Sequence, residues 1–503
     1  MVLGHWTILH DHGELEKHET LQLSRMWYPL MDKEGTRHSQ LSYIKALTPE
    51  LIFDLRYQSL LVAEDRYSCS SYPYTTTRWR KNRHDRHTLP RVPEENYLNP
   101  LIKSLNLDLA DLLHTPVWSR HQISLPAVDA SSRFGKFGGQ FAAELQMDIL
   151  LDLPSVFYSI LSDDSFWDDF IACPLIRPSP LHYAQNLTQV AGGANIWLKR
   201  EDLNPFGSYQ ARNIVGQTLF AHRIGKTEIV MDCGFAGHGL VCATMCARLK
   251  MKCTILMGAS DIFAQPDAIR KMEKLGATVI SAQCPGMTQG RDRGSLRAAT
   301  NEALRYSLSR IDSAYHITSG TIGPHPVPSI TRTFQSLLGQ EIKNCISRMT
   351  GKEDSGPDAL ISSVGSSGAA ALGMFAAYIN DPTVRLVGVE AADAAPLTHG
   401  SVGVMYGCKT LLLQNDDGQI LDSYSVSPDM NFPCAGPELA HWKDMGRLET
   451  VTASNEEAVQ GLRILCEHEG IVSSLATGHA VLETVKLAKE LGPGKDVVLL
   501  VSG

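Results

Sequence analysis

Two short stretches carry side chains whose types and spacing suit chemistry on a small anionic ligand. The first is Asp232-Cys-Gly-Phe-Ala-Gly-His-Gly239 and the second is Val364-Gly-Ser-Ser-Gly-Ala-Ala370. In each, an apolar run enters and an amphipathic run leaves, so each reads as a strand-to-helix turn. Glycines 234, 237, 239, 365 and 368 let backbone N–H groups converge, and the helix start adds partial positive charge. Glycine at a tight turn equally serves packing alone. Two such turns in one α/β chain favour a small ligand near the strand ends. Asp232 closes its apolar run, where a partly desolvated carboxylate can hold or deliver a proton.

The elements that must position these residues alternate. Ile196–Lys199, Glu228–Asp232, Cys253–Met257, Ala359–Val364, Leu386–Glu390 and Val497–Val501 are predicted strands, rich in Val, Ile and Leu. Ala211–Arg223, Gly239–Leu249 and Pro266–Leu275 are predicted helices. This alternation predicts an α/β fold of parallel sheets covered by helices on both faces. There is no repeat of fixed period and no low-complexity segment.

Composition sets the outer bounds. The 503 residues are 43% hydrophobic and 20% charged, a globular balance that excludes a largely disordered chain. A net charge of −8 argues against a nucleic-acid partner. No apolar run reaches the roughly 18 residues of a membrane span, and the N-terminus lacks a signal-peptide pattern, so no membrane association is expected. The 11 cysteines form no C-x-x-C pair, which predicts reduced thiols and a cytoplasmic location. The basic stretch Arg78–Arg91 reads as a surface loop, with phosphate binding or docking as the alternative. Histidines 5, 10, 12 and 18 lack partners at zinc-site spacing, so no metal is expected.

From Phe134 onward the chain resembles the tryptophan synthase β-subunits, which are fold type II pyridoxal-phosphate enzymes. The matching segments are Phe137-Gly-Gly-Gln-Phe141, Arg177-Pro-Ser-Pro-Leu181, Leu198-Lys-Arg-Glu-Asp-Leu-Asn204, Gly323-Pro-His-Pro326 with Phe334-Gln-Ser336, Asp417-Gly-Gln-Ile420, Asn431-Phe-Pro433, Gly436-Pro-Glu438, Glu469-Gly-Ile471 and Ser502-Gly503. The resemblance implies a tryptophan synthase β-like domain over 134–503, with two interleaved α/β subdomains and a cleft between them. Residues 1–133 are then an N-terminal extension of unassigned role. It also implies a homodimer. A fused α-subunit barrel is not expected, because 133 residues are too few for a (β/α)₈ domain of roughly 250, and an α-subunit partner is not expected either.

The resemblance also assigns roles. The family's Schiff-base lysine falls at Gln210 and its preceding histidine at Tyr209. A carboxamide forms no imine, so the expectation is a site without cofactor, in which covalent pyridoxal phosphate is excluded and non-covalent binding is disfavoured. The phosphate loop corresponds to Gly365, Ser366, Ser367 and Gly368, and the pyridine-nitrogen partner to Ser502, a vestigial contact. The family's catalytic glutamate aligns with Asp232. The carboxylate-binding loop becomes Cys233, Gly234, Gly237, His238 and Gly239. The aspartate that contacts the serine hydroxyl aligns with Asn431, and the indole pocket wall with Leu296, Tyr406 and Phe432.

Three functions are compatible with these residues. The leading one is a cofactor-independent enzyme with Asp232 as acid–base group and His238 and Gln210 as polar orienters. It would act by cyclisation, rearrangement or elimination on an apolar, indole-like small molecule, in specialised metabolism. The second is a non-catalytic scaffold or regulatory partner of a true synthase. The third is an enzyme holding pyridoxal phosphate non-covalently.

Overall fold

The computed structural model describes residues 132–282, 296–318, 320–350 and 356–503. The basic stretch 78–91 and the four N-terminal histidines lie outside the described residues.

Two parallel sheets carry the site. The first has six strands in the order β13-β10-β9-β14-β4-β3. In chain order these are β3 (Leu181–Tyr183), β4 (Asn195–Arg200), β9 (Ala359–Ser363), β10 (Arg385–Ala391), β13 (Glu449–Ala453) and β14 (Asp496–Val501). All neighbours are parallel except the edge strand β3, which runs antiparallel to β4. The second sheet is fully parallel in the order β7-β6-β5-β8, with β5 (Glu228–Asp232), β6 (Lys252–Gly258), β7 (Thr278–Ala282) and β8 (Ala314–Ile317). Two short strands at the start of the described region, β1 (Arg133–Phe134) and β2 (Phe137–Gly138), join β11 (Ser401–Met405) and β12 (Cys408–Leu412) in a small third sheet.

The apolar character of the central strands follows from helices on both faces. Along β14, Val497, Leu499 and Val501 enter one core cluster while Val498 and Leu500 enter another, the alternation expected of a strand. Every residue of β5, β9 and β14 is buried. A third core, around the second sheet, contains Ile229, Met231, Cys233, Ile255 and Met257.

Five helices matter below: α1 (Ala211–Arg223), α2 (Ala236–Leu249), α3 (Leu296–Leu308), α4 (Ala369–Phe375) and α5 (Leu475–Leu491). The predicted helix after β5 begins three residues earlier than the sequence indicated, at Ala236. Glycines inside a helix weaken its propensity, which hid the first turn. They are present for close approach. A Cβ on Gly237 would lie 2.4 Å from the Phe206 carbonyl oxygen, and one on Gly239 would lie 2.8 Å from Met272 Sδ. Among the described residues no helix is long and apolar enough to cross a membrane.

Candidate active site

The two glycine-bearing turns converge on one short element, the 3-10 turn Pro428–Met430. A Cβ on Gly234, after β5, would meet Pro428 at 3.5 Å, and one on Gly365, after β9, would meet the Asp429 carbonyl oxygen at 2.7 Å. A third segment arrives at the same place: the Tyr209 hydroxyl donates to Asp429 Oδ2 at 2.6 Å. Both turns and the segment that carries Tyr209 and Gln210 thus approach one element, although Gly234 and Gly365 are 131 residues apart in sequence.

At the end of β5, Asp232 is 2% exposed and is held from two sides. The His316 Nε2–H donates to its Oδ1 at 2.8 Å, and the Thr300 hydroxyl donates to its Oδ2 at 2.8 Å. His316 lies on β8 opposite Val230, two residues before Asp232, so both side chains leave the same face of the sheet. Thr300 stands one helical turn beyond Leu296 on α3, and its hydroxyl also approaches the Leu296 carbonyl at 3.0 Å. Helix α3 thus joins the carboxylate to the apolar wall. Leu296 and Phe432 share a core cluster with Ile322, Cys408, Leu412 and Cys434, and Tyr406 packs against it. The Tyr406 and Phe432 rings are stacked, 6.0 Å apart with a 21° interplanar angle.

His238 sits in the first turn of α2 and is fully buried. Burial pushes its imidazole down to about 4, with the Asp429 carboxylate acting in the opposite direction. It is therefore neutral at physiological pH. Its Nδ1 is 2.8 Å from Ser208 Oγ. Cys233 is buried beneath this turn, and burial pushes its thiol well up, so it is inert as a nucleophile. Gln210 is buried at the start of α1, where its Oε1 accepts from Asn213 Nδ2 at 3.0 Å. Asn431 accepts from the Ser423 hydroxyl at 2.8 Å.

The turn after β9 is a backbone cradle. Ser367 (φ 61°) and Gly368 (φ 88°) are successive left-handed residues. The Gly368 N–H closes onto the Gly365 carbonyl at 2.6 Å. The Gly368 N–H is thus used inside the turn, and the other backbone N–H groups of this nest are the ones that could meet an anion. Ser367 braces the nest from behind: its hydroxyl accepts from the Thr321 N–H at 2.7 Å and its carbonyl accepts from the Gly436 N–H at 2.9 Å. At the end of β14, the Ser502 hydroxyl is 2.7 Å from Ser474 Oγ and 3.2 Å from Thr477 Oγ1, which fixes its position beside α5.

Sequence reasoning missed His316, Thr300, Ser208 and Asp429. Only His316 carried a signal, as a polar residue in an otherwise apolar strand, Ala-Tyr-His-Ile. Its pairing with Asp232 spans 84 residues and exists only in the folded sheet.

The profile of the pyridoxal-phosphate dependent enzymes matches residues 172–503. The tryptophan synthase of Saccharomyces cerevisiae is 40% identical over 381 residues, covering 74% of this chain and 52% of the relative. The chain thus spans about half the length of that relative. The tryptophan synthase beta chain of Roseobacter denitrificans is 37% identical over 375 residues, covering 72% of this chain and 89% of the relative. Among solved structures, a pyridoxal 5'-phosphate-dependent aspartate racemase superposes with a TM-score of 0.50 at 16% identity, covering 69% of this chain and 94% of that one. A fungal L-serine ammonia-lyase from Rhizomucor miehei gives 0.50 at 18% identity, covering 65% and 94%. These two show the fold.

The comparisons overturn the expectation of a site without cofactor, because the matching family is one of pyridoxal-phosphate dependent enzymes. That expectation rested on the side chains at 210 and 209. The nest at 365–368 is built from backbone, and Ser502 is braced by its own neighbours, so neither depends on residue 210. The donor set fits a phosphate at the nest and a pyridine nitrogen at the Ser502 hydroxyl. Among the described residues the only lysine with a buried side chain is Lys199, and it is engaged by Glu341 and the Ser179 carbonyl.

Proposed function

The chain belongs to the tryptophan synthase β family of pyridoxal-phosphate dependent enzymes, and on that premise we propose that it is an enzyme that moves a proton on an apolar, indole-like small molecule at Asp232. The observation that carries this reading is the pairing of the buried Asp232 carboxylate with His316 and Thr300, joined through α3 to the wall of Leu296, Tyr406 and Phe432.

Each part has a physical role. The stacked Tyr406 and Phe432 rings give a flat ligand an apolar face to lie against. The Asp232 carboxylate takes a proton from a ligand N–H or C–H, or returns one. His316 and Thr300 fix the carboxylate's orientation, so little reorganisation accompanies the transfer. Cyclisation, rearrangement and elimination all fit a site of this kind. The family's cofactor would be held at its phosphate by the 365–368 nest and at its ring nitrogen by Ser502, and when bound it supplies an electron sink. His238, neutral and buried, orients the polar end of the ligand.

The test starts from indole-containing metabolite extracts, scored for any compound the purified protein consumes. On that compound Asp232→Asn is expected to cut turnover by roughly 10²–10⁴-fold while leaving affinity largely intact. Phe432→Ala is expected to weaken binding, through loss of about 3 kcal/mol of apolar contact. Wild-type turnover in Asp232→Asn would make the carboxylate purely structural and remove the assignment.

A further inference from the structure

Besides orienting a ligand for proton transfer at Asp232, the polar group around His238 has a geometry suited to a second chemistry. Ser208 Oγ is 2.8 Å from His238 Nδ1. On the opposite edge of the ring, Nε2 faces Asp429 Oδ1 at 3.9 Å and has no hydrogen-bond partner, although the residue is fully buried. Asp429 is itself anchored at its other oxygen by the Tyr209 hydroxyl at 2.6 Å. The Tyr209 and Phe235 rings stand edge-on to the imidazole, at 4.9 Å and 87° and at 5.1 Å and 89°. The ring is therefore clamped on both sides.

These contacts select one tautomer. A lone pair on Nε2 would face the Asp429 carboxylate and be repelled, whereas an N–H there is attracted. The proton accordingly sits on Nε2, the lone pair on Nδ1, and the Ser208 hydroxyl donates to it. A hydroxyl hydrogen-bonded to a neutral imidazole, which is oriented by a carboxylate on its far side, is the arrangement that activates serine as a nucleophile. Ser208, itself fully buried, follows a sharp turn. Gly207 before it has φ 69°, and a Cβ there would lie 3.0 Å from Gly503; helix α1 begins three residues after Ser208. The positive end of that 13-residue helix favours negative charge developing nearby.

We propose that Ser208, His238 and Asp429 form a nucleophilic site that takes an activated acyl group, an ester or thioester of a small carboxylic acid. The Ser208 Oγ–C bond forms as the hydroxyl proton passes to His238 Nδ1. The C–O or C–S bond to the leaving group breaks, and the leaving alcohol or thiol carries that proton away. Water then attacks the acyl-serine, gives a proton to His238, and releases the acid as the proton returns to Ser208. The net reaction is hydrolysis and needs no other reactant. Asp429 offsets the imidazolium charge formed midway, which matters because burial disfavours the cation. This activity goes beyond proton transfer at Asp232 and does not depend on it.

The experiment uses the full chain and p-nitrophenyl acetate. A burst of p-nitrophenolate, with one acetyl group mapped to Ser208 by peptide mass spectrometry, is expected. His238→Gln is expected to slow acetylation of Ser208 by roughly 10²–10⁴-fold, and Asp429→Asn by a smaller factor. Ser208→Ala should abolish both the burst and the label at that peptide. Ser208→Cys, which keeps the volume and a nucleophilic atom, should retain acylation as a thioester. Wild-type protein with no acetyl group on Ser208, or acetylation at an unchanged rate in a His238→Gln chain that melts like wild type, overturns the proposal.

Discussion

The six-stranded and four-stranded sheets each carry a glycine-bearing turn beside the same 3-10 element, and a titratable side chain is buried on β10 of the first and in the turn after β5 of the second, yet the two turns are built from different materials. The turn after β9 is defined by backbone. Ser367 and Gly368 are left-handed, and a Cβ on Gly368 would fall 2.1 Å from Leu439 Cδ1. The turn after β5 is defined by side chains, with Asp232 bonded to His316 and Thr300, and His238 bonded to Ser208. A backbone nest tolerates exchange of the residues around it, because its donors belong to no side chain. A side-chain constellation can be rewritten one residue at a time.

The sharpest way to break this comparison is at Gly368. Gly368→Ala forces a Cβ onto a left-handed backbone and into Leu439. It is expected to cost roughly 2–5 kcal/mol, from backbone strain and overpacking together. Thermal melting reads this directly, and an unchanged Tm would mean that the nest is not locked. Gly234 is the control from the other sheet, because its nearest neighbour to an added Cβ is 3.5 Å away. Its alanine variant is expected to lie within about 1 kcal/mol of wild type.

The two buried titratable groups should respond to pH with opposite sign. Glu390, near the end of β10, accepts from the Leu397 and Thr398 N–H groups and the Thr398 hydroxyl, but burial still pushes its carboxyl up to about 7. The folded state therefore holds that proton more tightly than the unfolded chain does. Its contribution is fully present below the unfolded carboxyl value of 4.5 and is lost as pH rises through about 7. His238 runs the other way. Its value falls from 6.5 to about 4, so its contribution is present above 6.5 and is lost as pH falls through about 4. Each shift corresponds to roughly 3 kcal/mol at full development. Urea midpoints measured from pH 4 to pH 8 should lose their alkaline-side decline in Glu390→Gln and their acid-side decline in His238→Gln. Parallel curves for wild type and both variants would remove the contrast.

A smaller effect is expected at Ser502. Adding pyridoxal phosphate to the purified protein and following absorbance and retention on gel filtration should show binding. Ser502→Ala should weaken it by about 1 kcal/mol, the worth of one hydrogen bond. Equal affinity in the variant would mean that the hydroxyl does not meet the ring nitrogen.

How much of this was legible in the sequence follows from the same contrast. The inner strands of both sheets were readable because parallel strands buried on both faces become continuous apolar runs, as in Val497–Val501, whereas the edge strands β3, β7, β8 and β13 were not. The helix after β5 was read as beginning too late because Gly237 looks like a loop residue until its contact with Phe206 is seen. Asp232 and His238 were legible as polar residues in a strand-to-helix turn. Their partners were not, because pairings across 84 and 30 residues leave no periodic trace. The cofactor expectation failed for a related reason. The substitution at residue 210 was given more weight than the glycine turn at 365–368, whose backbone donors do not depend on it.

The Pro428–Met430 turn gives this arrangement a history as well as a shape. Asp429 touches the Tyr209 hydroxyl, faces His238, and places its carbonyl where any side chain at 365 would stand. Across a set of homologues, positions 209, 238 and 429 should therefore co-vary as a block. A lineage that changes the acid at 429 should be found to have changed the phenol at 209 within the same branch, while position 365 stays glycine throughout.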